Sequence, residues 1–326
     1  MPRGVPLTCA TLNLSWEANS TKKLDRNAFR NVPVMENGVA MRADGCPFSE
    51  AYHNSAKTLL GAGPDIILLQ EFSVPTSLIA TPHHAIETTK SALFHDKYAV
   101  VASKLTEING TLFGNMVLAS ASKADKYDFV DLQDADYYSL FHKRFDNGRP
   151  LAAAVMHKKG DPASPIMLLC SAHSAHNMQW DFLNSQRALS KIVTKSIETY
   201  ESKQPLLPIN FSGMGVLFGG DLNTTDRNQC KWGGKPVTIN VLAQTFTFYK
   251  APSASVQQAT LTTDKTRVPR DWVFCTSSVG THCNPIVDIV PETGSDHYMV
   301  WAHTTAAMGG LAALKKREFV DVPAQC

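Results

Sequence analysis

Short apolar runs recur along the whole chain, separated by turn residues, and they set the first expectation for its architecture. Each run has the length of a β-strand, and glycine, proline, asparagine or aspartate stands at most of the boundaries. The pattern predicts strands at residues 7–14, 65–71, 98–103, 115–119, 151–157, 166–172, 215–220, 272–275, 286–290 and 297–302.

Two segments have the spacing of amphipathic helices instead. Residues 49–60 precede Gly61, a residue type that often follows the last turn of a helix. Residues from about 178 to 200 place apolar side chains near one face at helical spacing. Many strands with few helices between them predict an α/β fold in which two sheets pack face to face with helices outside.

Two polar stretches, residues 17–48 and 222–267, are rich in threonine, asparagine and lysine and are predicted to be long loops. Loops of that length in a compact domain tend to carry function. The folded domain is expected to span residues 1–303, and residues 304–326 are expected to form a C-terminal tail.

Composition narrows the class of protein without fixing its substrate. A chain of 326 residues with 44% hydrophobic and 18% charged residues can bury a sizeable core, as one large α/β domain or two small ones. The formal net charge of +2 neither requires nor excludes a polyanionic partner, because local patches matter more than the total. No pattern indicates an obligate protein partner.

Several features favour the cytosol or nucleus. The sequence has no apolar stretch of the roughly 18 residues that a membrane span requires, and its start lacks a signal-peptide pattern. The seven cysteines are scattered and odd in number, which suits free thiols in a reducing compartment. Asn13 and Asn223 both lie in glycosylation sequons, so a glycosylating compartment would put any chemistry of theirs at risk.

Polar and ionisable residues lie within or at the ends of six of the apolar runs. A buried charge is costly unless it is paired or bound to metal, so six repetitions of the pattern indicate one shared site at the strand ends. The residues concerned are Asn13, Gln70, Glu71, His173, His176, Asp221, Asn223, Asp271, Asp296 and His297.

These residue types suit metal-assisted hydrolysis of a phosphoester. A hard cation such as Mg²⁺ takes one or two carboxylates and retains several waters, and Glu71 and Asp296 could hold it. The attacking water needs a base and the phosphoryl oxygens need hydrogen-bond donors, which aspartate, asparagine and histidine supply.

Eight segments in order resemble the endonuclease/exonuclease/phosphatase superfamily, which is related to pancreatic deoxyribonuclease. They are TLNLSW, LLQE, FGNMVLAS, GRPLAAAV, SAHSAH, GGDLN, RDWVF and GSDHYMV, and the resemblance covers the chain from about Thr8 to Ala302. The resemblance implies a four-layer α/β sandwich, with two packed mixed sheets flanked by helices. It also implies a Mg²⁺-dependent phosphodiesterase, with Mn²⁺ as an alternative ion, and most simply a nuclease acting on DNA or RNA.

The resemblance also assigns a metal site and a base. It implies that Glu71 is the principal metal ligand, with Asp296 and Asn13 nearby. Asp221 is similar to the residue that orients or deprotonates the attacking water, and Asn223 is similar to its phosphate-binding neighbour.

The histidines and one arginine complete the implied site. His297 resembles the phosphate-contacting histidine, with Asp271 as the carboxylate that fixes its orientation. His173 corresponds to the second histidine of the deoxyribonuclease and sphingomyelinase branches, and Arg149 to an arginine that is structural or faces the phosphate. His176 is expected beyond the catalytic shell, capping a helix that begins near Asn177.

Two positions depart from the family pattern, and two other functions stay open. Ser15 stands where the abasic-site branch often has an acidic residue, which puts a second metal site in doubt. In pancreatic deoxyribonuclease a carboxylate supports the first catalytic histidine in chain order, whose counterpart here is His173. Glu107 is a weak candidate for that carboxylate. The alternatives are a phosphoesterase acting on a small or lipid-linked phosphate, of the inositol polyphosphate phosphatase or sphingomyelinase kind, and a catalytically silent binding module.

Overall fold

The fold is a four-layer α/β sandwich, as the resemblance implied. The structure is a computed structural model that describes residues 7–19, 34–35, 38–39, 46–133, 151–175, 179–224, 232, 235–251, 269–276, 286–290 and 293–304.

Fifteen strands occur among the described residues. In chain order they are β1 (Leu7–Asn13), β2 (Val34–Met35), β3 (Gly38–Val39), β4 (Ile66–Pro75), β5 (Tyr98–Ile108), β6 (Thr111–Ser120), β7 (Tyr127–Asp131), β8 (Leu151–Lys158), β9 (Asp161–His173), β10 (Gly215–Asp221), β11 (Val237–Val241), β12 (Gln244–Ala251), β13 (Asp271–Thr276), β14 (Ile286–Val290) and β15 (Met299–Thr304).

Four α-helices lie in the same part of the chain, together with a 3₁₀ turn at Trp16–Asn19 and a π-turn at Thr89–Leu93. The α-helices are α1 (Glu50–Ala62), α2 (Pro82–Thr88), α3 (Ala121–Ala124) and α4 (Phe182–Lys203). None of the described helices is long and apolar enough to cross a membrane.

The larger strands form two mixed sheets. The six-stranded sheet has the order β14-β15-β1-β4-β6-β5, and the seven-stranded sheet has the order β11-β12-β13-β10-β9-β8-β7. Each has one parallel pair near its middle, β1 with β4 and β9 with β10, and the other recorded pairings in both are antiparallel. Parallel neighbours end at the same edge of a sheet, so these pairs bring their C-terminal residues together.

Strand alternation explains the layers, because successive side chains point to opposite faces of a sheet. In β4, Leu68 packs between the sheets, whereas Ile67 and Leu69 pack on the outer face with residues of α1 and α2. In β10, Leu217 points between the sheets, and its neighbours pack on the α4 side. Three apolar cores therefore separate four layers.

Helix α1 shows why one predicted boundary was wrong. The Ser49 hydroxyl caps its start by accepting from the backbone N–H of Tyr52. The helix continues past Gly61 and ends at Gly63, whose φ of +63° is the left-handed conformation that glycine adopts readily. Gly61 has helical neighbours on both sides, so the second glycine is the one that terminates the helix.

Helix α4 also begins later than the sequence predicted. Its N-cap is Asp181, which accepts a hydrogen bond from the backbone N–H of Asn184, so the helix starts at Phe182 instead of near residue 178. The prediction that His176 caps a helix beginning near Asn177 is therefore wrong. Both residues lie outside the described part of the chain.

The predicted loop over residues 222–267 is wrong in part, because β11 and β12 form a hairpin there. The two turn residues, Leu242 and Ala243, both have positive φ, of 46° and 61°. That conformation is normally supplied by asparagine or glycine, so the sequence carries no hairpin signal at this point. Of the other predicted loop, the described residues include the short β2–β3 pair.

None of the four described cysteines forms a disulfide, and three of them are buried core residues on strands. Burial raises the pKa of the Cys9 and Cys170 thiols far above the ordinary value. These cysteines therefore act as small hydrophobes. The four are Cys9, Cys46, Cys170 and Cys275.

Candidate active site

The central strands of both sheets end in polar residues that lie side by side. In the seven-stranded sheet His173, Asp221 and Asp271 occupy paired positions on β9, β10 and β13. In the six-stranded sheet Asn13 pairs with Gln70. The predicted convergence at the strand ends therefore follows from strand register.

A hydrogen bond joins these two edges across the sandwich. Asn13 Nδ2 donates to Asp221 Oδ2 over 3.0 Å, and Asn13 Oδ1 accepts from the backbone N–H of Ser15 over 2.8 Å. Asn13 is buried, and so is Ser15, whose φ is +59°. The Asn13 amide thus faces Asp221 with its donor, and its role as a metal ligand stays a prediction.

Asp221 is the meeting point of the site. Besides the Asn13 amide, its Oδ2 lies 3.5 Å from His173 Nε2 and 3.8 Å from His297 Nε2. Its Oδ1 accepts from the backbone N–H of Asn223 over 2.7 Å. The side chain is only 3% exposed, so one carboxylate is held by donors on several sides in a nearly dry environment.

Gly220 lets the end of β10 approach β9 closely. Its φ is +146°, and a Cβ placed there would lie 1.7 Å from the carbonyl oxygen of Ala172. Only a residue without a side chain fits this contact. Asp221 and His173, the next residue on each strand, are aligned as a result.

Glu71 enters the site from a β-bulge in β4. Gln70 and Glu71 lie opposite one residue of β6, because the register shifts between Leu69 and Phe72. Glu71 has a φ of +53°. Its Oε2 accepts from the backbone N–H of Trp16 over 3.0 Å, and its Oε1 lies 3.4 Å from His173 Nε2.

The environment makes the Glu71 carboxyl unusually basic. Burial raises its pKa to about 7, and the Asp221 and Asp296 carboxylates add to the shift, although the Trp16 N–H and His297 oppose it. A group that titrates near neutrality inside a cluster of charges is typical of functional sites. A divalent cation at Glu71 would offset the cost of placing these carboxylates together.

The imidazole of His297 lies against the Asp271 carboxylate. The His297 Nδ1 to Asp271 Oδ2 distance is 2.8 Å, and the Asp271 side chain is fully buried. Burial alone would lower the pKa of His297, but Asp271, Asp296 and Asp221 raise it well above the ordinary value. His297 is therefore held as a cation whose Nε2 faces Asp221.

Asn223 supports the site through the backbone. Its φ is +51°, and its Nδ2 donates to the carbonyl oxygen of Ser174 over 2.7 Å. Ser174 in turn donates from its hydroxyl to the Leu222 carbonyl. One amide hydrogen of Asn223 is thus used inside the protein, and its contact with phosphate stays a prediction.

Three further predicted residues have different outcomes. Asp296 is half-buried next to His297, and its Oδ1 lies 3.3 Å from the Ser295 hydroxyl oxygen. Arg149 lies outside the described residues. Glu107 is exposed on β5, whereas the neighbours of the buried His173 are Glu71 and Asp221, so the weak candidacy of Glu107 has no support.

Sequence reasoning missed several residues that position the site. The Ser295 hydroxyl donates to the Asn13 carbonyl oxygen over 2.6 Å and accepts from the His297 backbone N–H over 3.0 Å. It thereby links β1 to the loop that carries Asp296 and His297. Serine next to an acidic residue is common in loops, so the sequence gives no sign of this role for Ser295. The hydrogen bond to the Asn13 carbonyl oxygen identifies it.

The donor set fits a hard divalent cation. Among the residues that the structure describes, no group of three or more His, Cys, Asp or Glu side chains is arranged to hold a metal ion. Mg²⁺ does not require one, because it binds through one or two carboxylates and keeps its remaining waters. Glu71, whose electrostatic environment includes the Asp296 carboxylate, would supply a carboxylate ligand of this kind.

Comparisons with known proteins find similar solved structures, whereas no protein-family model and no curated protein sequence matches the chain. A humanized D. rerio TDP2 carrying 14 mutations is 14% identical, with a TM-score of 0.49 and coverage of 91% of this chain and 98% of that chain. ANGEL2, a 2′,3′-cyclic phosphatase, is 11% identical, with a TM-score of 0.49 and coverage of 91% and 94%.

A third similar structure is the endonuclease domain of TRAS1, a telomere-specific non-LTR retrotransposon. It is 12% identical, with a TM-score of 0.44 and coverage of 93% of this chain and 99% of that chain. All three belong to the superfamily that the motifs resemble. At these identities and scores the likeness carries no argument about substrate or chemistry.

Proposed function

We propose that the protein is a Mg²⁺-dependent phosphodiesterase and that its substrate is a nucleic acid. The observation that carries this proposal is the environment of Asp221. One carboxylate oxygen lies 3.0 Å from the Asn13 amide, 3.5 Å from His173 and 3.8 Å from His297. A base, two imidazoles and the basic Glu71 carboxyl thus share one small volume.

Asp221 is suited to act on the attacking water. A general base must lie within hydrogen-bond reach of the proton it takes. The Asn13 amide and the Asn223 backbone N–H hold the two Asp221 oxygens in fixed directions, so the carboxylate is oriented before substrate arrives. In the proposed reaction Asp221 orients a water toward phosphorus and accepts its proton.

The two histidines are suited to the negative charge that the reaction develops. His297 is kept protonated by Asp271, so its Nε2–H can donate to a non-bridging phosphoryl oxygen. His173 Nε2 faces the same volume from β9 and supplies a second donor. Donors fixed in a water-poor site stabilise charge in the transition state without reorganising.

A divalent cation would bind on the Glu71 side of the site. There it would polarise a phosphoryl oxygen and stabilise the leaving oxygen. Glu71 would hold it, with Asp296 nearby, and the Trp16 backbone N–H keeps the Glu71 carboxylate pointing into the site. Binding requires the carboxylate form of Glu71, and its raised pKa makes the affinity depend on pH.

Two features of the sequence count against an inositol polyphosphate phosphatase. RDWVF at residues 270–274 differs from the string that those phosphatases carry, and the spacing from His173 to His176 is narrower than theirs. Nucleases also gain affinity from contacts with the backbone phosphates of the nucleic acid.

A substrate panel tests this proposal. The purified chain is incubated with DNA and RNA oligonucleotides, an inositol polyphosphate and sphingomyelin, each with Mg²⁺, Mn²⁺ or chelator. We expect oligonucleotide cleavage with either metal, none with chelator, and a steep loss of rate as salt increases. Turnover of only the inositol polyphosphate or sphingomyelin would mean that the substrate is a small or lipid-linked phosphate instead of a nucleic acid. No turnover of any compound would favour a catalytically silent binding module.

A further inference from the structure

The bulge that carries Glu71 is a strained local structure that needs support. Glu71 has a φ of +53°, a conformation that a residue with a side chain adopts only when its surroundings hold it. Without the extra residue, strand alternation would direct Glu71 to the outer face, where Phe72 now packs against Phe48 and Tyr52. The direction of the Glu71 side chain therefore depends on what stabilises the bulge.

On the inner face, three residues of the bulge contact one serine of the opposite sheet. The Ser171 hydroxyl donates to the Leu69 carbonyl oxygen over 2.7 Å and accepts from Gln70 Nε2 over 2.9 Å. Asn115, the β6 residue opposite the bulge, donates from Nδ2 to the Ser171 carbonyl oxygen over 3.3 Å. Ser171, Gln70 and Asn115 are all fully buried.

On the outer face, a tyrosine of α1 binds the backbone on the other side of Glu71. The Tyr52 hydroxyl donates to the Glu71 carbonyl oxygen over 3.2 Å and accepts from the Ser73 backbone N–H over 2.9 Å. Tyr52 is fully buried, so water cannot replace it. A normal ladder would satisfy these backbone groups by pairing with a neighbouring strand, and the bulge interrupts that pairing.

We propose that Ser171 and Tyr52 are positioning residues that aim the Glu71 carboxylate at the divalent cation. They hold the bulge from opposite faces of the six-stranded sheet. Ser171 binds the Leu69 carbonyl oxygen and the Gln70 side chain. Tyr52 binds the Glu71 carbonyl oxygen and the backbone N–H and hydroxyl of Ser73. This inference rests on the proposed function, because it needs Glu71 to be a metal ligand. It adds Tyr52, which lies outside the eight motifs, and it gives Ser171, the first residue of SAHSAH, a role that the motif does not assign.

Small substitutions test the proposal with the metal alone. Tyr52→Phe and Ser171→Ala each remove one hydroxyl, so the fold stays and the bulge loses one of its two supports. We expect each to weaken Mn²⁺ binding about tenfold, as for other residues that orient metal ligands. Binding is measured by electron paramagnetic resonance of the free ion, and amide exchange at Phe72 and Ser73 should become faster.

Two matched variants separate positioning from general loss of stability. Tyr98→Phe removes a buried hydroxyl that donates to the Pro64 carbonyl, and Ser185→Ala removes one that accepts from Trp232 Nε1. Neither contact involves the bulge, so both controls should bind Mn²⁺ within about twofold of the native protein.

The reference variant Glu71→Gln makes the failures distinguishable. If native protein and Glu71→Gln bind Mn²⁺ equally, the metal site of the proposed function is wrong and this inference is overturned with it. If Mn²⁺ binding requires Glu71 but Tyr52→Phe and Ser171→Ala bind like their controls, only this inference is overturned.

Discussion

The amide of Asn13 and the carboxylate of Asp221 join the two sheets of the sandwich by a buried hydrogen bond of 3.0 Å. Asn13 ends β1 of the six-stranded sheet, and Asp221 ends β10 of the seven-stranded sheet. The candidate base is therefore oriented by a residue 208 positions away in sequence. A site of this kind depends on how the sheets pack as well as on the strands themselves.

Replacing Asn13 with alanine tests this link. The change removes the donor to Asp221 and the acceptor for the Ser15 backbone N–H, so we expect a loss of about 1–3 kcal/mol in the free energy of unfolding. Turnover should fall about tenfold or more, because the base loses its orientation. Urea unfolding and initial rates measure both effects.

Asn240→Ala is the matched control for that prediction. Asn240 is exposed on β11, and its Oδ1 accepts from the Thr245 hydroxyl at the surface. We expect its effect on the free energy of unfolding to stay within about 0.5 kcal/mol. Equal losses in both variants would contradict a special role for the contact between the sheets.

The pairing of His297 with Asp271 predicts a dependence of stability on pH. A histidine whose pKa is raised in the folded protein contributes stability below its unfolded pKa of about 6.5 and loses it as pH rises through the folded value. Asp271→Asn removes that contribution. The difference in unfolding free energy between native protein and variant should therefore shrink from pH 6 to pH 10, measured with chelator present.

Activity should follow the same titration. If protonated His297 donates to the phosphoryl oxygen, native activity persists into the alkaline range, and Asp271→Asn loses activity at lower pH. Parallel pH profiles for the two proteins, in stability and in rate, would contradict the assignment of Asp271 as the residue that keeps His297 charged.

The raised pKa of Glu71 predicts that, in the absence of metal, ionisation of the Glu71 carboxyl destabilises the folded protein. Stability should fall as pH rises from the ordinary value of 4.5 to about 7, by roughly 3 kcal/mol at 1.36 kcal/mol per pH unit. Glu71→Gln removes this cost, so it should raise the melting temperature by a few degrees at pH 8 in chelator.

Metal binding should reverse that cost in the native protein. Mg²⁺ is expected to raise the melting temperature at pH 8, where Glu71 is ionised, and to have little effect at pH 5.5 or on Glu71→Gln. If Mg²⁺ raised the melting temperature equally for native protein at pH 8, native protein at pH 5.5 and Glu71→Gln, the cation would bind at a site other than Glu71.

Replacing Gly220 or Gly61 with alanine should change stability in opposite directions. Gly220→Ala places a Cβ 1.7 Å from the Ala172 carbonyl oxygen at a φ of +146°, so we expect at least about 2–3 kcal/mol of destabilisation and displacement of Asp221. Gly61→Ala, inside α1 with no atom within 4 Å of its Cβ, should stabilise by about 0.5–1 kcal/mol. Thermal unfolding of both variants measures the contrast.

Much of the fold could be predicted because strand patterns are local. Every predicted strand overlaps an observed one, and residues 286–290 match without error. The β11–β12 hairpin was missed because its turn uses Leu242 and Ala243 where the sequence rule expects glycine or asparagine. The predicted start of α4 was wrong because the sequence alone does not show which polar residue becomes the N-cap. In the structure the N-cap is Asp181.

The site was predicted as a set of residues but not as a geometry. The carboxylates and histidines stand out because they follow apolar strands, and the register of the sheets brings the described ones together. The bulge at Glu71 was not predictable, because the residues there are not of the types, such as glycine or asparagine, that usually adopt positive φ. The support from Ser171 and Tyr52 was equally hidden, because it spans separate layers.

The most direct test of the account is the rate of oligonucleotide hydrolysis by native protein and Asp221→Asn in Mg²⁺. The substitution keeps size and shape but removes the base, which typically supplies a factor of about 10²–10⁴. We predict that native protein cleaves the substrate and that the folded variant is slower by a factor in that range. Undiminished cleavage by a folded Asp221→Asn protein would contradict the assignment of Asp221 and with it the proposed chemistry.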